Sequence, residues 1–208
     1  MKPAAKISSA LLLLPCAAVI NTRLIKAKPA DKKSPPCDEK EIELCAEGMA
    51  RLIRIPTETN REHTDTSAFN KLHDVMRELF PNVFSTMELF ETDSNLLLRW
   101  AGKSDAPGVL FMGHQDVVPA GEDGWKHPPY AAVREGDILY GRGTLDSKCT
   151  IYSQFRAVDK LIAEGFSPPC DIYLAAGVNE ESSGDGAPSI VRELQKRGVR
   201  LSLVIDEC

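Results

Sequence analysis

The spacing of apolar residues predicts two amphipathic helices at the start of the folded region. In the first helix, apolar residues recur every three or four positions, as they do along one helix face: Ile42, Cys45, Met49, Leu52 and Ile53. Asp38 is a suitable N-cap for this helix, and Pro56 ends it. The second helix is capped by Asp65 or Thr66 and stopped by Pro81, and its inner face carries Phe69, Leu72, Val75, Met76 and Leu79.

After the second helix, short apolar runs alternate with helical patterns. The strand candidates are Val83–Phe90, Asn95–Trp100, Val109–Met112, a hairpin over Val133–Tyr140, Asp171–Ala176 and Leu201–Ile205. Helices are predicted from Ser147 to a stop at Gly165 and from Ala187 to Lys196, with a stop at Gly198. This alternation predicts an α/β fold with a mixed, largely parallel sheet.

The first 37 residues have a different pattern. Lysines precede a short apolar run over residues 7–20, and polar and basic residues follow it. This pattern is typical of a signal peptide or signal-anchor over residues 1–30, and it predicts a secreted or membrane-anchored protein in which residues 7–20 would be the anchor. Residues 31–37 are predicted to be a linker, and residues 38–208 the folded region.

Composition narrows the class of protein. The 208 residues are 43% hydrophobic and 26% charged, which is ordinary for a globular domain. The formal net charge of −5 and the absence of a long basic stripe argue against a nucleic-acid partner. None of the six cysteines forms a C-x-x-C pair, so a structural zinc knuckle is not expected, although a Cys37–Cys45 disulfide stays open if the chain is exported.

Acidic residues and a histidine follow the predicted strands at the same end. In an α/β sheet, the carboxyl ends of the parallel strands meet at one edge, and ligands bind there. No G-x-S-x-G motif is present, which argues against a serine nucleophile. The residues that this topology brings to the edge are His114, Asp116, Asp146, Glu180, Glu181, Asp206 and Glu207.

Each of these residues also has a purely structural interpretation. Asp146 could cap the helix that follows it, because Asp is a preferred N-cap. Glu180 and Glu181 could be solvated loop acids or acids that interact favourably with a helix dipole. The remaining histidines are predicted to be surface or loop residues: His63, His73 and His127.

One histidine with several carboxylates is a ligand set that suits zinc, and also manganese or cobalt. Carboxylates can bridge two metal ions, and such a pair can activate water and polarise a carbonyl oxygen. A carboxylate that does not bind metal can act as the general base. The adjacent acids Glu180 and Glu181 could divide these two tasks.

Five motifs in a fixed order resemble one known family over residues 38–208. They are GHQDVVP, Trp125 with Pro128-Pro129, YGRGTLDSK, GVNEESSG and VIDE. The family is that of the co-catalytic zinc amidohydrolases and exopeptidases, which includes aminoacylase-1, carboxypeptidase G and carboxypeptidase S. The chain most resembles carboxypeptidase S and the secreted N-acyl-amino-acid hydrolases. The resemblance implies a three-layer α/β/α sandwich that hydrolyses a C-terminal peptide bond or an N-acyl amino acid.

The resemblance also implies roles for individual residues. His114 and Asp206 would bind one zinc ion, Glu181 the second, and Asp146 would bridge the two. The bond between Asp146 and Ser147 would be cis. Two further residues would be catalytic without binding metal: Asp116 would orient the imidazole of His114, and Glu180 would be the general base.

The chain departs from the family pattern at its end. Members of the family are commonly longer, with a lid domain that mediates dimerisation and a later histidine for the second metal ion. No histidine follows His127, so we expect this chain to be the N-terminal part of such an enzyme and to have little activity. The homodimer that is expected for full-length relatives is not supported by the sequence of this chain. Two alternatives stay open: a non-catalytic, metal-binding remnant that acts by interaction, and a cytoplasmic amino-acid deacylase if residues 1–30 are not a signal.

Overall fold

The computed structural model describes residues 38–61, 65–92 and 94–207. The predicted signal and linker lie outside the described residues, as do His63 and the half of the predicted disulfide contributed by Cys37. Of the helices in the described part, none is long and apolar enough to cross a membrane.

The described part of the chain contains five helices, and all but the third form where the apolar spacing predicts them. They are α1 (Glu39–Ile53), α2 (Thr66–Leu79), α3 (Pro81–Thr86), α4 (Lys148–Ala163) and α5 (Gly186–Lys196). Asp65 caps α2, and its side chain accepts a hydrogen bond of 2.9 Å from Ser67 N. Gly165 and Gly198 follow α4 and α5 with φ values of 76° and 66°, a conformation that glycine adopts without steric cost at the end of a helix.

The short helix α3 contradicts part of the strand predicted over Val83–Phe90. Proline at the first helical position has a φ angle suited to a helix, so Pro81 starts a helix as well as ending the previous one. The buried carboxylate of Asp159 accepts hydrogen bonds from Asn82 N (2.8 Å) and Val83 N (3.2 Å) and so satisfies the free amides of this helix start. The strand begins only at Glu88.

The strands form a five-stranded sheet and a separate hairpin. Their bounds are β1 (Glu88–Thr92), β2 (Asn95–Trp100), β3 (Gly108–His114), β4 (Val133–Glu135), β5 (Ile138–Tyr140), β6 (Ile172–Gly177) and β7 (Leu201–Ile205). The sheet order is β1-β2-β6-β3-β7, and β4 pairs with β5 in the predicted hairpin. Only β2 runs against the other strands, so the sheet is mixed and largely parallel.

Helices cover both faces of the sheet, which gives the expected three layers. Successive residues of a strand point to opposite faces, so Leu96 and Leu98 face one layer while Leu97 faces the other. Helices α1, α2, α3 and α4 pack on the first face, through residues such as Leu52, Met76, Val83 and Phe155. Helix α5 covers the second face with Ile190 and Leu194.

The parallel strands β3, β6 and β7 place their carboxyl ends at one edge. His114 pairs with Gly177 in the register of β3 and β6, and Phe111 pairs with Ile205 in that of β3 and β7. The residues that follow these strands therefore lie close to one another, as the sequence predicts.

Candidate active site

His114 lies at the centre of the carboxyl edge and is almost fully buried, with 2% of its surface exposed. Its Nε2 atom is 2.9 Å from Asp146 Oδ1, 3.5 Å from Glu207 Oε1 and 3.9 Å from Glu180 Oε2. Three separate loops thus bring a carboxylate towards one imidazole nitrogen.

The other ring nitrogen of His114 faces hydrogen-bond acceptors. Nδ1 is 2.9 Å from the carbonyl oxygen of Asp116 and 3.4 Å from Asp116 Oδ1. Both neighbours are acceptors, so Nδ1 carries a proton. When the ring is neutral, the lone pair is therefore on Nε2, which faces the carboxylates and is free to bind a cation.

The carboxylates also set the proton affinity of His114. Burial alone would lower the pKa of the imidazole. The hydrogen bond with Asp116, the charge of Glu207 and the hydrogen bond with Asp146 outweigh burial and raise the pKa to about 10. The site therefore attracts a positive charge to Nε2, which is a proton when no metal ion is bound.

Asp116 is fully buried and connects three parts of the site. Its Oδ2 accepts hydrogen bonds from Thr59 Oγ1 (2.6 Å) and Glu181 N (3.1 Å), and its Oδ1 accepts one from Glu180 N (3.1 Å). Burial would raise the pKa of this carboxyl group, but the hydrogen bonds from His114 and Thr59 lower it. Asp116 is thus an anion that holds both the imidazole and the loop of the two glutamates.

Two groups of side chains could hold a metal ion. One is His114, Asp146 and Glu207, and the other is His114, Glu180 and Glu181; in each, the ligand atoms lie within 4.8 Å of one another. Burial and the negative charge of Asp146 raise the pKa of Glu181, so acidic groups repel one another here.

Glu207 provides an independent sign that the site fits a cation. Its Oε2 atom is buried and has no hydrogen-bond partner among the described residues. A buried carboxylate oxygen without a partner is energetically costly, and a bound cation would remove that cost. Oxygen and imidazole donors are also the ligand types that zinc accepts.

Asp206 is the predicted ligand that the structure does not bring into either group. It is exposed, and its Oδ1 accepts a hydrogen bond of 2.9 Å from Glu207 N. Adjacent residues of an extended chain point in opposite directions, so only one acid of the pair can face His114. The structure places Glu207 there, and the ligand role of Asp206 stays a prediction that this geometry does not support.

The loop before α4 has the backbone conformation that the family resemblance implies. The peptide bond between Asp146 and Ser147 is cis. Ser147 Oγ is 3.3 Å from His114 N and 3.2 Å from His114 O, so this loop is joined to the end of β3. Asp146 itself stays 75% exposed and accessible to a ligand.

Sequence reasoning missed two buried polar residues around the site. His73, predicted to be a surface or loop residue, is only 5% exposed, and its Nε2 lies 2.7 Å from Gln115 Oε1. His73 lies four residues after Phe69 and therefore on the apolar face of α2, and this spacing could have predicted its burial. Lys148 is 1% exposed and donates to Leu52 O (3.0 Å) and Ile55 O (2.7 Å), and burial lowers its pKa to about 7.

The third predicted surface histidine, His127, is partly buried in the loop that precedes the hairpin. Its Nε2 is 2.9 Å from Glu135 Oε1, and neither residue belongs to the groups that could hold a metal ion. The candidate site thus draws on a single histidine of the described part of the chain.

Known proteins are similar to this chain over the residues that carry the candidate site. Residues 110–207 match the profile described as Peptidase family M20/M25/M40. The N-fatty-acyl-amino acid synthase/hydrolase PM20D1 of Homo sapiens is 36% identical over 166 residues, which is 77% of this chain and 33% of that protein. Carboxypeptidase S of Saccharomyces cerevisiae is 34% identical over 73% of this chain and 29% of that protein. The chain therefore spans about a third of the length of these relatives.

Solved structures show the same fold. Human carnosine dipeptidase 1 superposes with a TM-score of 0.63 at 20% identity, over 83% of this chain and 41% of that one. The M20 family metallo-carboxypeptidase Sso-CP2 from Sulfolobus solfataricus superposes with a TM-score of 0.58 at 19% identity, over 82% and 37% of the respective chains. These likenesses confirm the predicted three-layer arrangement.

Proposed function

Because the chain belongs to the peptidase M20 family through its residues 110–207, we propose that it provides the metal-binding and proton-transfer groups for hydrolysis of an amide bond. The observation that carries this proposal is the convergence of carboxylates from separate loops on Nε2 of His114. Bringing several carboxylates together without a cation lowers the stability of the fold, whereas a bound divalent ion would balance their charge.

We propose zinc as the metal, with two ions in the complete site. His114, Asp146 and Glu207, which form one of the two candidate groups, would hold one ion. Glu181 would contribute to the second ion, and Asp146, whose charge acts on Glu181, would be shared between the two. This assignment replaces Asp206 by Glu207 on the basis of their positions. Bound there, the metal would polarise the substrate carbonyl and lower the pKa of a water molecule.

The side chains around the metal site have separate tasks. Glu180 is 58% exposed and 3.9 Å from His114 Nε2, so its carboxylate can reach both solvent and substrate. We assign it as the general base, which takes a proton from the attacking water and returns it to the leaving amine. Asp116 is buried and has no access to substrate, and its task is to hold His114 and the amides of Glu180 and Glu181.

We propose an N-acyl amino acid with an apolar acyl chain as the substrate class. Its support is the similarity to proteins named N-fatty-acyl-amino acid synthase/hydrolase and the position of Leu145. Leu145 precedes Asp146 and is 86% exposed, so an apolar group is available beside the metal site. A peptide cleaved at its C-terminal bond is the second candidate, supported by the similarity to carboxypeptidase S.

The experiment is a Glu180→Gln substitution in the purified protein at its natural length. Loss of the general base should lower turnover of N-acyl amino acids by about 100- to 10,000-fold while zinc affinity stays the same. Glu122→Gln, which changes an exposed acid outside both groups that could hold metal, serves as the control and should leave turnover unchanged. Substrate choice follows from parallel assays with N-acyl amino acids and dipeptides.

Three results would contradict the proposal. Full turnover by the Glu180→Gln variant would show that another group is the base. Zinc binding without metal-dependent turnover in the unmodified protein would favour the non-catalytic alternative, and absence of zinc binding would contradict the proposed metal site.

A further inference from the structure

A short segment that contacts the candidate site is held by backbone hydrogen bonds and by a buried lysine. Residues 55–59 contain none of the candidate ligands. Val117 exchanges backbone hydrogen bonds with Thr57 (3.0 Å) and Thr59 (3.1 Å), and the buried amine nitrogen of Lys148 donates to the first carbonyl of the segment, 2.7 Å away. The position of the segment is therefore set by contacts that do not involve the candidate ligands.

Two threonines of this segment donate buried hydrogen bonds of the same length to different kinds of acceptor. Thr57 Oγ1 donates to the backbone carbonyl of Gln115 at 2.6 Å, and Thr59 Oγ1 donates to Asp116 Oδ2, also at 2.6 Å. The backbone of Gln115 is already held by the sheet, since its N–H donates to Gly177 O at 2.8 Å. A carboxylate, in contrast, can rotate about its terminal bond, so the hydroxyl of Thr59 restricts a rotation that the backbone of Asp116 itself leaves free.

The other contacts of the Asp116 carboxylate come from the site itself. They are Glu180 N at 3.1 Å, Glu181 N at 3.1 Å and His114 Nδ1 at 3.4 Å. The bond from Thr59 is the shortest of the four and joins the carboxylate to the fixed segment. A rotation of this carboxylate would release both glutamate amides together and remove its contact with the imidazole, whose Nδ1 would keep only the backbone carbonyl of Asp116 at 2.9 Å.

We propose that Thr59 is a positioning residue of the site and acts through Asp116. Its hydroxyl fixes the rotation of the Asp116 carboxylate, which in turn holds the loop of Glu180 and Glu181 in place through two backbone amides and supports the imidazole of His114 on its Nδ1 side. The part of this proposal that concerns metal binding rests on the proposed function. Groups that orient metal ligands commonly contribute about 10- to 100-fold to metal affinity.

The experiment compares Thr59→Val with Thr57→Val. Both changes remove one buried hydroxyl from the same segment and keep the shape of the side chain. Titration calorimetry with Zn²⁺ should show about 10- to 100-fold weaker binding for Thr59→Val and a change of about threefold or less for Thr57→Val. Thr59→Ser, which restores the donor, should recover the unmodified affinity.

A second measurement does not need metal. In the metal-free protein, amide hydrogen exchange of Glu180 and Glu181 should be about tenfold faster in Thr59→Val than in Thr57→Val, after correction for the difference in global stability. A merely structural loss of a buried hydrogen bond would change both variants alike. If the valine variant does not fold, Thr59→Ala is measured instead, with Thr57→Ala as its partner.

The outcomes separate this inference from the proposed function. Equal zinc affinities and equal exchange rates in the two valine variants would overturn the role of Thr59 and leave the proposed function standing. If the unmodified protein binds no zinc, the proposed function fails, and exchange at Glu180 and Glu181 alone decides whether Thr59 positions Asp116.

Discussion

The two edges of the central sheet differ in how their charges are balanced. At the amino edge of the parallel strands, Arg99 pairs with Asp171 at 2.7 Å and with Glu88 at 3.6 Å. Arg197 pairs with Glu193 at 2.6 Å and lies over the ring of Phe90. Acid and base alternate there, and each of these charges is compensated locally.

At the carboxyl edge, acidic groups outnumber the positive charge that they surround. Asp146, Glu180 and Glu207 all approach the single imidazole of His114. Compensated charges stabilise a fold, whereas an unbalanced cluster costs stability and persists at a site of function. Charge balance therefore distinguishes the two edges.

A cleft at the amino edge does not by itself indicate a metal site. A cleft of about 580 Å³ lies at the amino edge and is lined by Arg99, Asp171 and Arg197, among others. The cleft is an open groove, and Arg99, Asp171 and Arg197 within it already have partners of opposite charge. The unbalanced carboxylates, and not this cleft, indicate where a cation is required.

The strongest test of this difference is removal of His114. A His114→Asn change should weaken zinc binding by more than about 100-fold, because His114 belongs to both groups that could hold metal and even groups that only orient ligands contribute about 10- to 100-fold. Calorimetric titration with Zn²⁺ measures the effect. His127→Asn is the matched control, since His127 also contacts a glutamate but lies outside both groups, and its affinity should not change.

Equal losses in the two histidine variants would show that zinc binds elsewhere. Retention of full affinity by His114→Asn would remove the distinction between the two edges, because the carboxylates would then bind metal without the imidazole.

The pH dependence of zinc affinity is the next test. The pKa of His114 is about 10 in the metal-free protein, whereas metal binding needs the neutral imidazole. Below pH 10, zinc must displace about one proton, so its apparent affinity should rise about tenfold per pH unit between pH 6 and 8. Titrations in two buffers of different ionisation enthalpy count the protons that are released.

The raised pKa of His114 also makes the stability of the metal-free protein depend on pH. A raised pKa means that protonated His114 stabilises the fold fully below its ordinary pKa of 6.5, and that this contribution is lost as pH rises through about 10.

An affinity for zinc that does not change between pH 6 and 8 would contradict the predicted pH dependence of zinc binding, because the imidazole would then already be neutral.

Much of the fold was predictable from the spacing of apolar residues. The strands of the sheet alternate with helices, and Asn95–Trp100 forms a strand as predicted. The exception is α3, where the mixed run after Pro81 is a helix because the buried Asp159 accepts hydrogen bonds from its first amides. Asp159 is distant in sequence, so no local pattern could reveal this contact.

The candidate site was predictable only in part. The topology of an α/β sheet brings His114 and the later acids to one edge whatever their side-chain directions. The choice between Asp206 and Glu207 depends on the direction of each side chain after β7, which the sequence of two adjacent acids does not reveal. The burial of Lys148 depends on the carbonyls of Leu52 and Ile55, which only the folded chain brings near.

The smallest predicted effect compares one acid from each edge. Burial and the charge of Asp146 raise the pKa of Glu181, so its carboxylate costs stability above its ordinary pKa of 4.5. Glu181→Gln should therefore stabilise the metal-free protein by about 0.5–1 kcal/mol at pH 7. Burial would raise the pKa of Asp171, but the hydrogen bond from Arg99 lowers it, so Asp171→Asn should destabilise the fold by about 1–2 kcal/mol.

Only one of these two effects should change between pH 7 and pH 4. The gain in Glu181→Gln should shrink as pH falls to 4, because Glu181 becomes protonated and its cost disappears in the unmodified protein. Asp171 has a pKa below its ordinary 3.8 and stays ionised at pH 4, so the loss in Asp171→Asn should persist. Urea unfolding with a chelator at both pH values measures the two effects. Destabilisation by both substitutions at pH 7 would mean that Glu181 is compensated as well as Asp171, and the two edges would then not differ in charge balance.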